Sequence, residues 1–325
     1  MNHHPTMTVR EFAELIRGRD RFLILTHRRP DGDAVGSSAA LCRGLRALGK
    51  TACVLENPEA SEKYASMLVP FLPPAGYEPE TVLSVDLAEE GILQVNAGAW
   101  AGRIEFAVDH HPSNSGFAPR TLLDPTAGAC GELVYFLLLE LLGSVDRETA
   151  TLLYIAVTTD TGCFRYKNTT PQTLRVGAAL LEAGAPIDLN RTMFMKKSRS
   201  RLLLESAIVE NLELFMEGEA SIAAVTREDL LRCGVREEDM EDIASIAGGV
   251  EGVELSLTLR EVGDEEWKVS LRTGQYGNAS AICREFGGGG HGMAAGCTVC
   301  GPLEEVKARL KAAVDRHWHE SPLEE

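Results

Sequence analysis

The sequence predicts an α/β protein: a parallel sheet with helices on both faces in the N-terminal domain, followed by a smaller α+β domain. In the first half of the chain, short apolar runs rich in β-branched residues alternate with helical patterns, which is typical of a parallel sheet. The chain also has 325 residues, more than one hydrophobic core usually serves. We therefore expect two domains.

The elements of the first domain follow from their local patterns. Strand-like runs occur at FLILT, TACVL, TVLSVD and IEFAVD, and the first is followed by the helical pattern AVGSSAALCRGLRALG. A second helix is predicted from about Gly131 to Gly143. The run DRETATLLYIAVTTDTG is apolar enough to be a buried helix, although its periodicity leaves open where a helix would end and a loop begin. Two short helices are expected between Pro171 and about Arg191, broken at Gly184 and Pro186.

The composition changes near residue 200. The stretch MFMKKSRSRLLLESAIVENLELF mixes a basic run with a helical pattern, so we expect domains at 1–192 and 206–325 with a linker at 193–205. Beyond it, the strand-like runs SIAAVT, VELSLTLREV and WKVSLRT alternate with helical ones, including a helix from about Ala279 to Glu285. This pattern favours an α+β domain with a partly antiparallel sheet. We expect the active-site cleft to lie between the two domains.

Bulk properties exclude several classes of function. A formal charge of −16 argues against binding long nucleic acid, because that affinity comes mainly from Lys and Arg. The sequence has no 18-residue apolar span and no apolar core of a signal peptide, so we expect a cytoplasmic protein without a membrane partner. The eight cysteines form no dense framework, which predicts free thiols. The pair Cys297 and Cys300 would need two more ligands to hold a structural zinc, so burial in a strand is the preferred interpretation.

Acidic residues and histidines follow several of the apolar runs. In open α/β sheets, ligands bind outside the carboxyl ends of the strands, so residues at these ends can converge. Any one Asp after a strand is more often a helix cap or a turn residue, but the set together predicts a two-metal hydrolytic site. Carboxylate and imidazole ligands suit ions such as Mn²⁺, Mg²⁺ or Co²⁺. The set comprises His27, Asp31, Asp33, Asp86, Asp109, His110, His111 and Asp160.

These motifs carry a family resemblance. The chain resembles the DHH phosphoesterase superfamily with its DHH-associated C-terminal domain. The motifs that carry this resemblance are, in order, HRRPDGD, SVD, VDHH, TTDTG and FGGGGHGMAAG. Within that superfamily the chain is most similar to the two-domain bacterial nanoRNases that also act as pAp phosphatases. The motifs extend over residues 27 to 297, and no motif residue is missing.

The resemblance implies two bound divalent metal ions, most simply Mn²⁺, with Mg²⁺ or Co²⁺ as substitutes. One ion would be held by His27, Asp31 and Asp86, and the other by Asp33, Asp86, His110 and Asp160.

The resemblance also implies catalytic roles for three residues. Asp86 would bridge the two ions, and His111 would lie beside the phosphate as an electrostatic helper or proton donor. Asp109 would orient the neighbouring histidine. The sequence leaves open how the roles are divided between His110 and His111.

The Gly-rich run in the second domain is a candidate phosphate-binding loop. Consecutive glycines let backbone amides approach an anion closely, although such a run could also be a simple turn between a helix and a strand. His291 follows the run directly, and Arg272 lies near the end of a predicted strand. The resemblance implies that these two residues, together with Gly288, Gly289 and Gly290, hold the far end of a short oligonucleotide.

The implied activity is hydrolysis of very short oligoribonucleotides to 5′-mononucleotides, and of 3′-phosphoadenosine 5′-phosphate to AMP and phosphate. The same site chemistry would suit cyclic or linear signalling dinucleotides, so the motifs do not separate these substrates. A non-catalytic nucleotide or RNA sensor is a more remote alternative, because it predicts missing ligands. Phe164 or Tyr166, shortly after Asp160, could stack on a base, although an aromatic in this context is more often part of the core. The oligomeric state is left open.

Overall fold

The computed structural model describes residues 6–190, 196–240 and 243–321. The chain divides into two compact units, residues 1–196 and 197–325. Arg191, where the last predicted helix of the first domain was expected to end, and residues 193–195 of the expected linker lie outside the described residues. Among the helices described, none is both long enough and apolar enough to cross a membrane.

The first unit is built on a parallel sheet of five strands. They are β1 (Phe22–Leu25), β2 (Ala52–Val54), β3 (Thr81–Val85), β4 (Ile104–Asp109) and β5 (Arg120–Leu123). Their order is β2-β1-β3-β4-β5, and all neighbouring pairs are parallel. The chain passes from β1 to β2 on one side and places β3 on the other. The strand order therefore switches direction between β1 and β3, which is where open α/β sheets bind ligands.

The helices of this unit precede β1, connect some of the strands and follow the last of them. They are α1 (Val9–Arg17), α2 (Gly32–Ala47), α3 (Glu62–Leu68), α4 (Cys130–Leu142), α5 (Arg147–Asp160), α6 (Pro171–Glu182) and α7 (Asp188–Asn190). The structure decides the ambiguous run before Asp160, because α5 is a single helix that ends at this residue. Asp160 is thus delivered by the end of a helix and not by a strand.

The two faces of the first sheet are covered differently. Helices α1 to α6 all contribute to the core on the face that carries Ile24. The face that carries Leu25 packs against connecting segments, including Tyr77, Trp100 and the 3₁₀ turn Glu90–Ile92. Within the described residues this face has no longer helix, whereas the alternating pattern predicted helices on both faces. The connection from β3 to β4 contains three glycines, which favour turns over a continuous helix.

The second unit has a mixed sheet of six strands. They are β6 (Leu212–Phe215), β7 (Ala220–Val225), β8 (Leu255–Gly263), β9 (Glu266–Thr273), β10 (Gly289–His291) and β11 (Ala294–Cys300). The order is β10-β11-β9-β8-β7-β6, and only the β7–β8 pair of this sheet is parallel. The partly antiparallel sheet expected from the sequence is therefore present.

Helices lie on both faces of this second sheet. They are α8 (Arg199–Glu210), α9 (Arg227–Cys233), α10 (Ala244–Ala247), α11 (Ala279–Arg284) and α12 (Leu303–His317). Residues of α11 and α12 form a core with one face, and residues of α8, α9 and α10 pack around β7 on the other. Residues 199–205 of the expected linker are thus the start of α8, which is buried through Leu204.

The cysteines are free thiols. Cys297 is buried in β11, and Cys300, three residues along the same strand, is exposed. Residues three apart on a strand point to opposite faces, so these two thiols do not converge on one ion. None of the candidate metal clusters among the described residues contains a cysteine.

Candidate metal centre

Acidic side chains and imidazoles meet at the carboxyl-terminal edge of the parallel sheet. His27 follows β1, Asp86 follows β3, and His110 follows β4. Asp31 is the N-cap of α2, and Asp160 is the last residue of α5. Strand ends and helix ends therefore deliver ligands to one place from positions that are more than a hundred residues apart in sequence.

The first cluster consists of His27, Asp31 and Asp86, whose possible ligand atoms lie within 4.8 Å of one another. The His27 Nε2 atom is 3.7 Å from Asp86 Oδ2. His27 Nδ1 donates to the Arg28 carbonyl oxygen at 2.7 Å, which leaves the lone pair on Nε2 facing the cluster. Asp31 Oδ1 accepts from the backbone N–H of Asp33 at 2.9 Å, so the helix cap also holds this carboxylate in position.

The second cluster consists of Asp33, His110 and Asp160, again with possible ligand atoms within 4.8 Å of one another. His110 Nε2 is 3.8 Å from Asp33 Oδ2 and 3.6 Å from Asp160 Oδ2. His110 Nδ1 donates to the Ala127 carbonyl oxygen at 3.1 Å, so Nε2 is again the free ligand atom.

Asp33 is fully buried and strongly hydrogen-bonded. Its Oδ2 accepts from Cys130 N at 2.7 Å and its Oδ1 from Gly131 N at 3.0 Å, at the start of α4. Ser37 Oγ, one turn along α2, donates to Oδ1 at 2.8 Å. The positive end of a helix thus stabilises the negative charge on Asp33 and fixes its orientation.

Asp86 lies between the two clusters. Its Oδ1 is 3.6 Å from His110 Nε2, while its Oδ2 faces His27. Asp86 has a φ of 57°, a left-handed conformation that turns the chain sharply after β3. Oδ1 is buried and receives no hydrogen bond from any described residue. An unpaired buried carboxylate oxygen is costly, so this donor set fits a bound cation.

The pKa values of the surrounding carboxyl groups also indicate a site for cations. Burial, followed by the charge of Asp86, raises the pKa of Asp31 and raises that of Asp33 well above its usual range. Burial raises the pKa of Asp160 to about 6, with an added contribution from the charge of Asp86. Several carboxylates that repel one another in a buried place are expected where divalent cations supply the missing positive charge.

His111 has a different environment from His110. Its Nδ1 donates to Asp109 Oδ1 at 2.7 Å, and this bond raises the pKa of His111 to about 9. Burial opposes ionisation of Asp109, but the hydrogen bonds from His111 and Asn114 lower its pKa overall. The His111 side chain is 41% exposed, compared with 12% for His110. His111 Nδ1 is also 3.6 Å from Asp86 Oδ1, and His111 forms a further candidate metal group with Asp86 and His110. His111 therefore lies beside the two clusters and is more exposed than His110.

Comparisons with known proteins show the family of this chain. Residues 21–157 match the DHH family N-terminal domain, and residues 223–319 match the DHHA1 domain. The chain is 35% identical over 301 residues to the bifunctional oligoribonuclease and PAP phosphatase NrnA of Thermus thermophilus, covering 90% of this chain and 88% of that protein. The chain belongs to the DHH family.

Two further relatives of this DHH-family protein are informative. The NrnA protein of Bacillus subtilis, with the same descriptive name, is 25% identical over 297 residues, covering 88% of this chain and 93% of that protein. The crystal structure of an exopolyphosphatase-related protein from Bacteroides fragilis matches with a TM-score of 0.81 and 23% identity, covering 95% of each chain. The second match shows that the two proteins share a fold.

Some residues of this DHH-family site were missed by the sequence analysis. Asn114 Nδ2 donates to Asp109 Oδ2 at 2.6 Å, and Asn168 Nδ2 is 3.2 Å from Asp160 Oδ2. Each amide holds a carboxylate of the site: Asn114 holds Asp109, and Asn168 holds Asp160 of the second cluster. Asn114 lies five residues after Asp109 in DHHPSN, so a polar residue close to the motif was the available signal.

The aromatic residues after Asp160 separate in the structure. Phe164 packs against the core of the first unit, with its ring 6.3 Å from that of Tyr154. Tyr166 is 54% exposed and lies against Gly162. Phe164 is therefore a core residue, and Tyr166 is the one that is accessible for stacking.

The substrate-binding candidates of the second unit share one face of the mixed sheet. Arg272 in β9 pairs with Ala294 in β11, and Ala294 pairs with His291 in β10, so all three point the same way. Arg272 and His291 are exposed, with a small residue between them. A Cβ at Gly288 would lie 2.4 Å from Cys297 Cβ, so only glycine lets this loop lie against β11.

The two neighbouring glycines of the loop belong to β10. Gly289 is exposed and pairs with Gly296 of β11. Gly290 has a φ of 148°, a conformation that favours glycine. The second half of the run is therefore part of the edge strand β10, whereas Gly287 lies in the turn that leads into it.

Proposed function

We propose that this protein is a metal-dependent phosphoesterase that hydrolyses very short oligoribonucleotides to 5′-mononucleotides and 3′-phosphoadenosine 5′-phosphate to AMP and phosphate. The observation that carries the proposal is the position of Asp86 between the two clusters, where its buried Oδ1 receives no hydrogen bond from any described residue. Similarity to the T. thermophilus oligoribonuclease and PAP phosphatase supports the choice of substrates.

The proposed cofactors are two divalent ions, with Mn²⁺ preferred and Mg²⁺ or Co²⁺ as substitutes. One would be held by the first cluster and the other by the second cluster, with Asp86 shared between them. When bound, such ions supply positive charge to the phosphoryl oxygens and lower the pKa of water.

His111 is the proposed proton donor. Its Nδ1 is committed to Asp109, so the second proton of the imidazolium is on Nε2. Since the pKa of His111 is about 9, this proton is present at neutral pH and can pass to the leaving oxygen of the phosphoester. Asp109 acts through His111 and, with Asn114, keeps the imidazolium oriented.

The second unit is proposed to bind the part of the substrate that does not react. Arg272 and His291 offer a positive charge and a hydrogen-bond donor on one face of the sheet, and Gly288, Gly289 and Gly290 allow close backbone approach. The acidic chain as a whole disfavours long nucleic acid, which fits short substrates. A cytoplasmic location is part of the proposal. Domains at 1–192 and 206–325 remain our proposed boundaries.

The proposal is tested by product analysis on the wild-type protein and on Asp86→Ala. Each protein is incubated with Mn²⁺ and one substrate at a time. The substrates are 5′-phosphorylated RNA dimers to 24-mers, 3′-phosphoadenosine 5′-phosphate and a cyclic dinucleotide. We expect rates that fall steeply beyond a few nucleotides and AMP release from the bisphosphate. Asp86→Ala should lower both rates together by about 100-fold or more, because both ions lose a ligand.

The matched control is Asp264→Ala, which removes an exposed carboxylate from the turn between β8 and β9 and should keep full activity. Full activity of Asp86→Ala in Mn²⁺ would sink the metal assignment. Faster turnover of the cyclic dinucleotide, or of its linear product, would favour the signalling-dinucleotide alternative instead. Absence of any turnover and of bound metal would favour the sensor.

A further inference from the structure

We infer that Asn168 is a positioning residue that sets the metal affinity of the second cluster. The inference rests on the proposed function, since it assumes that Asp33, His110 and Asp160 hold an ion. Asn168 lies in the segment between α5 and α6 and is not part of either cluster. Its side-chain amide nevertheless reaches both Asp160 and the loop that orients His110.

The first contact of Asn168 is with the end of α5. Its Nδ2 lies 3.2 Å from Asp160 Oδ2 and 3.1 Å from the Asp160 carbonyl oxygen. The carbonyls of the last turn of a helix have no partner within the helix, so this amide satisfies one of them. The same nitrogen thereby holds the backbone and the carboxylate of Asp160 in one orientation.

The second contact of Asn168 is with the loop before α4. Nδ2 donates to the Gly128 carbonyl oxygen at 2.9 Å. The preceding residue, Ala127, provides the carbonyl that accepts from His110 Nδ1. Gly128 N donates to Glu132 Oε1 at 3.0 Å, so this peptide segment is held from two sides. Asn168 therefore restrains the carbonyl that keeps His110 Nε2 free for a ligand.

The orientation of the Asn168 amide follows from its surroundings. Its nitrogen faces three oxygen acceptors, and rotating the amide by half a turn would place Oδ1 against all three. Oδ1 is buried and receives no hydrogen bond within the described part of the chain. Leaving Oδ1 without a donor costs free energy, and the three contacts of Nδ2 offset this cost.

Loss of Nδ2 would leave three oxygen atoms facing one another without a donor. Asp160 and the Gly128 segment should then move apart, which displaces two of the three residues of the second cluster. Loss of a residue that orients metal ligands typically costs 10- to 100-fold in metal affinity. The first cluster should keep its affinity, because His27 is oriented by the Arg28 carbonyl and Asp31 by the start of α2.

The test is a Mn²⁺ titration of the full chain, with free Mn²⁺ measured by electron paramagnetic resonance. Asn168→Leu keeps the branched shape and the number of heavy atoms of the side chain and removes the donor, and Asn168→Ala removes the side chain beyond Cβ. The wild-type protein should bind two Mn²⁺ ions, and both variants should weaken one of them by 10- to 100-fold while the other is unchanged. His27→Ala identifies the ion of the first cluster, because it should weaken the opposite class.

The matched control is Asn96→Ala, an exposed amide that also donates to a backbone carbonyl, that of Glu56, at 2.7 Å. It should leave both Mn²⁺ constants unchanged. Activity of the Asn168 variants should fall at low Mn²⁺ and recover when Mn²⁺ is raised.

The outcomes separate the inference from the proposed function. If both Asn168 variants bind two Mn²⁺ ions with the dissociation constants of the wild type and turn over substrate at the wild-type rate, the positioning role is overturned. The proposed function would still stand. Equal weakening of both ions would also overturn it, because it would indicate a general loss of structure. A wild-type protein that binds no Mn²⁺ and cleaves no phosphoester would overturn the proposed function itself, and the inference with it.

Discussion

Replacement of Gly36 by alanine should disturb the metal centre from a position that contacts no ligand. Gly36 lies in α2, and a Cβ there would be 2.5 Å from the Leu152 carbonyl oxygen and 3.0 Å from Ala156 N, both in the backbone of α5. Helix α2 starts next to Asp31 and Asp33, and α5 ends at Asp160. The approach of these two helices therefore brings together residues of the second cluster.

The magnitude follows from the contact distances. An ordinary contact starts at 3.4 Å, so the two helices must separate by about 0.9 Å. Overpacking against backbone that cannot rotate away costs about 3 kcal/mol. The better helix propensity of alanine recovers about 1 kcal/mol. We expect a net loss of about 2 kcal/mol in the free energy of unfolding, which lowers Tm by about 4–8 °C.

The assay combines thermal unfolding with the Mn²⁺ titration. The control is Gly18→Ala at the end of α1, where the nearest atom would be 3.5 Å away and φ is −81°, so no loss is expected. Gly36→Ala should lower Tm and weaken the second cluster. If Gly36→Ala matches the wild type in both measurements, the close approach of α2 and α5 is not what positions Asp33 and Asp160.

Two further predictions concern the second unit. His317 bonds to Glu285 and Glu320 at 2.8 and 2.7 Å, and although burial opposes it, these bonds raise its pKa above 6.5. This contribution to stability is fully present below the unfolded pKa and is lost as pH rises through the higher folded pKa. His317→Gln should therefore lower the free energy of unfolding by about 1 kcal/mol at pH 5.5 and by much less at pH 9, as measured by denaturant titration. An equal loss at both pH values would contradict the argument from the charge of His317. Cys300 is exposed, while Cys163 is half-buried and the other thiols are buried. Cys300→Ser should therefore remove the fastest phase of labelling by a thiol reagent. A fast phase that is unchanged in this variant would contradict the exposure of Cys300.

Much of the site follows from local sequence. Apolar runs that alternate with helices specify a parallel sheet, and in such a sheet the residues just after the strands share an edge. This rule alone places His27, Asp86 and His110 at the edge of the sheet. Asp31 is placed there because it caps α2. The pattern FGGGGH predicts that backbone amides approach an anion closely, and this stays a prediction. In the structure, Gly288 and Gly290 lie closely against β11.

The rest was decided by contacts between segments distant in sequence. Asp160 reaches the site from the end of a helix, because α5 packs closely against α2 at Gly36. Asn168 acquires its role only because the chain after α5 returns to the loop at Gly128. The absence of longer helices from one face of the first sheet, within the described residues, reflects how the β3–β4 connection folds. Periodicity reports which side of an element is apolar, whereas the distance between two elements depends on every side chain between them, so only the folded chain determines it.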